Sequence, residues 1–337
     1  MSSYECRAWL PQGEFQAQAT IATDAIVLRG DGGRHATLPF ADLMDMRLLN
    51  YRLRLEMRDF EAQISHLGYH TEDFFEKLWQ AYSKKSQESL FITGAFAMES
   101  EGDYAYVEPQ AQRRSIAKLA LYSDCLCIVP HDVGARRIAL CFANPPVREG
   151  FSLTITLDTG EHYRIARLGR DTDPFFSKLT QARDRSVARW QEAHRALERG
   201  LRARLGEASD AYEVLDSLDA RVTCGLFSAD DEAFWLMAIA DGRAAIELVT
   251  DEKTATYLYR FSSSQSEFEG AVRHAMEAVK KNRRIIFLDQ RDLPGEPLYR
   301  MAIERSSHIR FLRSCNVGRI IHSSSWAEKV RDFFATV

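Results

Sequence analysis

Two segments of the chain repeat the same order of hydrophobic and polar residues. The segment ISHLGYHTEDFFEKLWQA (residues 64–81) returns as IARLGRDTDPFFSKLTQA (residues 165–182), at a constant offset of 101 residues. In each copy a short alternating segment predicts a strand, a glycine predicts a turn, and a phenylalanine pair begins the apolar stripe of an amphipathic helix. Because solenoid repeats span only about 20–50 residues, a period this long indicates a duplicated domain.

The similarity continues upstream of these segments. TDAIVLRG (residues 23–30) parallels SDCLCIVP (residues 123–130), and apolar residues alternate with polar ones over both 53–57 and 153–157. Strict alternation predicts antiparallel strands with one buried face. We therefore expect two related units, each with several antiparallel strands and a closing helix.

Local signals within the repeats predict turns and helix starts. LDTGEHY (residues 157–163) predicts a hairpin turn in which Gly160 adopts a positive φ. Thr71 and Thr172 stand where an N-cap residue is expected, directly before the apolar stripes. These signals predict that both closing helices begin at the same point of the repeat.

These segments together resemble the pleckstrin-homology-like (PH-like) domains, arranged as a bacterial-style tandem. The resemblance is carried by LPFADLMDM (residues 38–46), the hairpin into ISHLG, the helix TEDFFEKLWQAY (residues 71–82) and the related series at 123–182. It extends over roughly residues 12–190 and implies two bent antiparallel β-barrels, each capped by a C-terminal helix. PH-like domains that bind inositol phosphates use basic residues in their first loop, where this chain has Asp24 and Asp124. This departure argues against a membrane lipid as the ligand.

The last third of the chain resembles no family and predicts an α+β domain. Four segments between residues 221 and 261 have strand character, and Ser264 with Glu267 forms a capping-box pattern before a helical stripe. We interpret residues 283–290 as a further strand, 296–314 as one helix and 326–334 as a closing helix. The predicted fold class of the whole chain is α+β or mainly β. The predicted organisation is a PH-like domain over 1–90, a second over 91–205 with an extended helix, and the α+β domain over 206–337. Its strands could be a diverged third copy.

The extension of the second helix carries a heptad-like apolar seam. Val187, Trp190, Leu197 and Leu201 recur at spacings that place them on one side of a helix. About two heptads are enough to dock on another surface. We interpret this seam as a candidate interaction surface.

Composition restricts the classes of function. The net charge of −4 argues against nucleic acid as a partner, because nucleic-acid-binding domains carry a marked basic excess. The six cysteines are scattered through apolar segments, as expected for a reduced cytoplasmic protein. Cys125 and Cys127 are interpreted as core residues because a zinc site usually needs four ligands. Asp158 is interpreted as a turn residue and not as a protease carboxylate, because residues 57–60 lack the matching Thr-Gly. We expect no metal and no cofactor.

Two functions remain open at the level of sequence. The first is a non-catalytic cytoplasmic scaffold that binds a protein partner or copies of itself through tandem PH-like modules. The alternative is a site for a small anionic ligand in the C-terminal domain, either a binding site or an enzymatic one, formed by Arg310, Arg313 and His308. Arginines near a histidine suit an anion, yet the same residues also fit a solvated basic face.

Overall fold

The fold was analysed in a computed structural model that describes residues 3–108, 111–205, 209–227, 229, 233–249, 255–279 and 284–335. These residues form an α+β protein with three antiparallel sheets, the first two of them curled. The predicted α+β class is therefore confirmed. We refer to the three sheets with their helices as the first, middle and C-terminal units.

The first unit comprises a seven-stranded sheet and one helix. Its elements are β1 (Ser3–Leu10), β2 (Gly13–Ile21), β3 (Ala25–Gly30), β4 (His35–Pro39), β5 (Leu43–Leu49), β6 (Arg52–Met57), β7 (Glu61–Ser65) and α1 (Thr71–Ser89). The strand order is β4-β3-β2-β1-β7-β6-β5. On α1, the side chains of Phe74, Leu78 and Tyr82 share one core with inward-facing strand residues such as Leu55 and Ile64.

The middle unit repeats this arrangement. Its elements are β8 (Phe96–Glu108), β9 (Ala111–Tyr122), β10 (Cys125–Pro130), β11 (Arg136–Ala139), β12 (Val147–Glu149), β13 (Ser152–Thr156), β14 (His162–Ala166) and α2 (Thr172–Leu205). The order β11-β10-β9-β8-β14-β13-β12 matches that of the first sheet strand for strand. Phe175 and Leu179 of α2 pack against Leu153 and Ile165, as their counterparts do in the first unit.

The repeat extends to backbone conformation just before each closing helix. Gly68 and Gly169 adopt φ values of 59° and 57°. The prediction that Thr71 and Thr172 are N-caps was wrong, because a turn of 3-10 helix precedes each of them. Both threonines lie inside the helix, and each hydroxyl donates to the carbonyl of that glycine, at 2.7 Å and 2.8 Å.

The C-terminal unit has a five-stranded sheet between two layers of helices. Its elements are α3 (Ser209–Asp216), β15 (Arg221–Leu226), β16 (Phe234–Ala240), β17 (Arg243–Val249), β18 (Ala255–Arg260), α4 (Gln265–Ala278), α5 (Arg284–Phe287), α6 (Pro297–Arg305), α7 (Ser307–Cys315), β19 (Asn316–Ile321) and α8 (Trp326–Ala335). Alternate residues of β16 enter two different cores. Met237 packs in the core with α4 and α7, and Leu236 packs in the core with α3 and α8.

Several predictions for this unit are confirmed and three are corrected. The four strands, the capping box at Ser264 and the closing helix are present. Residues 284–287 form a short helix where a strand was predicted, because Ile285 and Ile286 are buried among helices. The single helix predicted over 296–314 is divided at Ser306, whose extended backbone and side chain begin α7. Strand β19 was not predicted.

Strand β10 is apolar throughout because both of its faces are covered. Leu126 and Ile128 face the core of the middle unit. Cys127 and Val129 belong to the core that contains α1. The interpretation of this segment as core is confirmed, and the strand joins the first two units.

Helices make the other connections between units. The indole N–H of Trp79 on α1 donates to the carbonyl of Pro130 at 2.8 Å. Met301 of α6 is buried in the first unit's core, and Leu197 of α2 is buried in the C-terminal unit. The three units therefore pack as one body.

Candidate functional site at the junction of the three units

A cavity of about 50 Å³ lies where the three units meet, and we call it the junction cavity. The C-terminal end of α1, two strands of the middle sheet, α4 and the α6–α7 corner all reach it. Its polar lining comprises Ser89, Arg136, Arg137, Glu161, Tyr163, His274, Arg305, Ser306, Ser307 and His308. The cavity therefore brings together residues that lie more than 200 positions apart in the sequence, such as Ser89 and His308.

A buried arginine holds one wall of the cavity. Arg137 on β11 has a side chain only 5% exposed, and its Nη2 lies 3.5 Å from carboxylate oxygens of both Asp124 and Glu277. Burial alone would lower the pKa of Arg137. The Cys125 thiol and the Glu277 and Asp124 carboxylates outweigh that effect and raise the pKa. The guanidinium therefore stays charged and ties the middle unit to α4.

A histidine pair bridges the same two units. His274 of α4 contacts Asp158 of the hairpin turn at 2.5 Å between Nε2 and Oδ1, and its ring lies 4.5 Å from that of His308. The turn itself has the predicted form, with Gly160 at φ 85°. Asp158 thus orients a histidine and is not part of a carboxylate pair.

Aromatic rings continue from this pair along the interface. The His274 ring packs on Phe142, with 4.2 Å between centroids, and Phe142 packs on Trp190 of α2 at 5.1 Å. His194, one turn further along α2, follows at 4.2 Å from Trp190. This row fixes how α2 and α4 lie against the middle sheet.

The pKa values of His308 and Asp158 are both lowered from their ordinary values. Burial, with a smaller effect from His274, lowers the pKa of His308 to about 3. Glu161 lies 3.7 Å away, within ion-pair distance. The low pKa nevertheless keeps the imidazole neutral at pH 7. Burial alone would raise the pKa of Asp158, but the hydrogen bond and charge of His274 outweigh it and lower the pKa.

Arg305 has a different environment from Arg137. It ends α6, and its guanidinium carbon lies 5.5 Å above the ring of Tyr82 on α1. Among the described residues, no carboxylate lies within ion-pair distance of it, and its shielded Nε has no hydrogen-bond acceptor. Burial and the nearby Arg310 lower the pKa of Arg305 to about 10, so it remains charged at pH 7.

The three residues predicted to bind an anion occupy separate places. His308 lines the junction cavity. Arg313 donates through Nη1 to the carbonyls of Ile285 and Leu288, at 2.8 Å and 2.7 Å, and so holds the α5 region against α7. Arg310 is exposed and lies 3.6 Å from Glu304.

The predicted seam on α2 is distributed along an internal contact. Trp190 packs on Phe142 of the middle unit, and Leu197 is buried in the core of the C-terminal unit. Val187 is partly buried. Leu201 belongs to α2, but its side chain lies outside the described residues. In this arrangement Trp190 and Leu197 contact the chain itself.

Sequence reasoning singled out His308 but not the other polar residues that build the junction. Arg137, Glu277 and His274 come from strands and helices that pattern alone cannot bring together. One signal was available: the stripe of α4 that buries Ala271 and Ala275 also carries His274 between them. A polar residue within a buried stripe needs a partner, because an unsatisfied buried group is unfavourable.

No family model and no curated protein matches this chain. Within the described residues, none of the helices has both the length and the apolar character needed to cross a membrane. Nor does that part of the chain bring together three or more side chains suited to a metal ion. The function must therefore be argued from the geometry of the molecule itself.

Proposed function

We propose that the protein is a non-catalytic cytoplasmic scaffold whose first two units are tandem PH-like modules. The identical strand order of the two curled sheets, each followed by a helix, supports the PH-like assignment. The scatter of the six cysteines through apolar segments fits a reducing compartment. One repeated surface feature carries the proposal of an interaction function.

That feature is an exposed aromatic residue at the same hairpin tip in both units. Tyr51 lies between β5 and β6 and is 72% exposed, and Phe151 lies between β12 and β13 and is 76% exposed. Exposed apolar residues flank the tips, with Leu49 beside the first and Val147 beside the second. Neither aromatic ring contributes to its own core.

Aromatic residues at such positions suit a contact with another protein. Tyrosine and phenylalanine are enriched in the cores of protein interfaces, where they bury a large area at low entropic cost. The backbone turns tightly at both tips, where Asn50 and Tyr51 adopt φ values of 51° and 58° and Gly150 adopts 61°. A tight turn holds each ring outward, which limits the entropy lost on binding.

The experiment compares the native chain with a tip variant, Tyr51→Ser combined with Phe151→Ser. Each protein is used for affinity co-purification from the natural host, and its mass in solution is measured by light scattering. We expect the native chain to recover a stoichiometric protein or to self-associate, and the tip variant to lose at least ten-fold of that association. Stability should be unchanged, because surface substitutions usually alter it by less than about 0.5 kcal/mol.

Tyr69→Ser provides the matched control. Tyr69 is 90% exposed but lies before α1 and not at a hairpin tip, so this variant should associate as the native chain does. Association that survives in the tip variant, or that is lost equally in the control, would contradict the role of the tips. No association by the native chain would contradict the scaffold function.

A small anionic ligand in the C-terminal domain is the second candidate, and one observation favours it. His308 faces a cavity that also contains arginine side chains. The other two residues of the original hypothesis hold different positions, so any such site needs a different set of residues.

A further inference from the structure

The corner between α6 and α7 places hydrogen-bond donors around the junction cavity. Arg305 is the last residue of α6, Ser306 is the N-cap of α7, and Ser307 and His308 are its first two residues. All four line the cavity. Donors from a side chain and from a helix N-terminus therefore face the same space.

The first turn of α7 has amide groups that the helix cannot satisfy. The Ser306 hydroxyl accepts from the amide of Ile309 at 3.4 Å, and the Ser306 amide donates to Ala302. The amides of Ser307 and His308 have no intrahelical acceptor by virtue of their position. Such amides, with the positive end of the helix dipole, form a favourable environment for an anion.

The Arg305 guanidinium indicates an anion site independently of the α7 amides. Its Nε is shielded from solvent and has no acceptor, and the described residues place no carboxylate within ion-pair distance. A partly buried guanidinium with a shielded Nε and no counter-charge among the described residues is unfavourable, and it calls for an anion.

The carboxylates around the cavity lie near arginines other than Arg305. Three arginines and one carboxylate, Glu161, face it. Arg137 is balanced outside the cavity by Asp124 and Glu277. Glu161 accepts from the Tyr163 hydroxyl at 3.2 Å, so it lies among donors of the middle unit.

We propose that the junction cavity binds a phosphate-sized oxyanion, held by the Arg305 guanidinium and the first amides of α7. The ligand is inorganic phosphate or the phosphate group of a small molecule. A cavity of about 50 Å³ has room for a few water molecules at ~10–15 Å³ each, and hence for one such group. Because all three units line the cavity, the bound anion stabilises their assembly.

The test uses the full chain and inorganic phosphate as the probe, at constant ionic strength with chloride as reference. Calorimetry and thermal unfolding are measured for the native protein, for Arg305→Met and for Arg310→Met. We expect phosphate to bind the native chain and raise its Tm, Arg305→Met to weaken binding at least ten-fold, and Arg310→Met to bind as the native chain does. Arg310 is the matched control because it is exposed and lies on α7.

A second variant tests the contribution of the α7 amides and leaves every charged residue unchanged. Ser307→Pro removes one N–H at the first position of α7, where proline is tolerated. The extended backbone of Ser306, at φ −124° and ψ 106°, already suits a residue before proline. This variant should keep the fold and lose binding several-fold, so the test does not depend on Arg305→Met folding.

Without phosphate, Arg305→Met should be at least as stable as the native chain, since it removes a partly buried charge that has no carboxylate within ion-pair distance among the described residues. A purely structural Arg305 would give a less stable variant. Glycerol 3-phosphate is the second probe: tighter binding than inorganic phosphate assigns the site to a phosphorylated small molecule, and weaker binding assigns it to the free ion. Equal effects of phosphate and chloride, or phosphate binding unchanged in both variants, would overturn the proposal.

Discussion

The first and middle units have the same strand order, yet equivalent positions in them meet different surroundings. Asp24 is exposed, whereas Asp124 is 3% exposed and faces Arg137. Thr37 is the equivalent of Arg137, because it pairs with β3 as Arg137 pairs with β10. Thr37 is exposed, as Asp24 is. The strand residues that form the inner core match, and those that face other units do not.

This difference separates two kinds of information in the repeat. The inner face of each sheet specifies the fold, so Phe74 and Phe175 recur with the same burial. The outer face of the middle sheet is covered by α1 and α4, so its residues specify assembly. Duplication therefore accounts for the architecture, and the neighbours of each copy account for the junction.

The largest effect should come from the shared inner core. Phe74→Ala and Phe175→Ala each remove a ring with no exposed surface. Each should lower the free energy of unfolding by about 4 kcal/mol, because it removes apolar burial and leaves a cavity. Chemical denaturation of both variants would measure this. Costs that differ by more than a factor of two would show that the two cores are not equivalent.

A smaller effect should distinguish the outer faces. Arg137→Met leaves Asp124 and Glu277 buried without their cation, and it should lower the free energy of unfolding by about 3 kcal/mol. Thr37→Met, the equivalent change in the first unit, should alter it by less than about 0.5 kcal/mol. Equal effects in the same denaturation assay would contradict the assignment of Arg137 to the junction.

The smallest effect should appear as a dependence of stability on pH. Because the pKa of His308 is about 3 in the folded chain, only the unfolded chain takes up that proton as the pH falls below about 6.5. Stability should therefore fall by roughly 1–2 kcal/mol between pH 7 and pH 5 through this group. The lowered pKa of Asp158 acts only at lower pH, below about 4.

His308→Gln isolates that contribution from its neighbours, which include Glu161, His274, Asp158 and Arg136. The variant should lose stability less steeply than the native chain over the same range, measured by thermal unfolding at several pH values. Identical slopes would show that His308 is accessible to protons in the folded chain.

Much of the architecture could be predicted because its signals are local. The offset of 101 residues, the alternation over residues 53–57 and the Ser264 capping box each depend on neighbours in sequence. The wrong prediction that Thr71 is an N-cap also has a local cause. Thr71 follows a positive-φ glycine in a 3-10 turn, so its hydroxyl donates to that turn.

The junction could not be predicted because its contacts join distant parts of the chain. Arg137 meets Glu277, and Arg300 of α6 meets Asp42 at 2.6 Å. Periodicity shows which face of an element is apolar but not which element covers it. Arg310 and Arg313 were therefore grouped with His308 by proximity in sequence, although packing directs the three side chains differently.

The pairing of Arg137 with Glu277 has a consequence for how the chain is made. Glu277 leaves the ribosome roughly 140 residues after Arg137, which at about 5–20 residues per second is a delay of roughly 7–30 seconds. During that time the nascent middle unit carries Arg137 with only one of its two carboxylates, and its α4-facing surface is uncovered. The C-terminal unit, which is synthesised later, thus completes the charge balance of the middle unit.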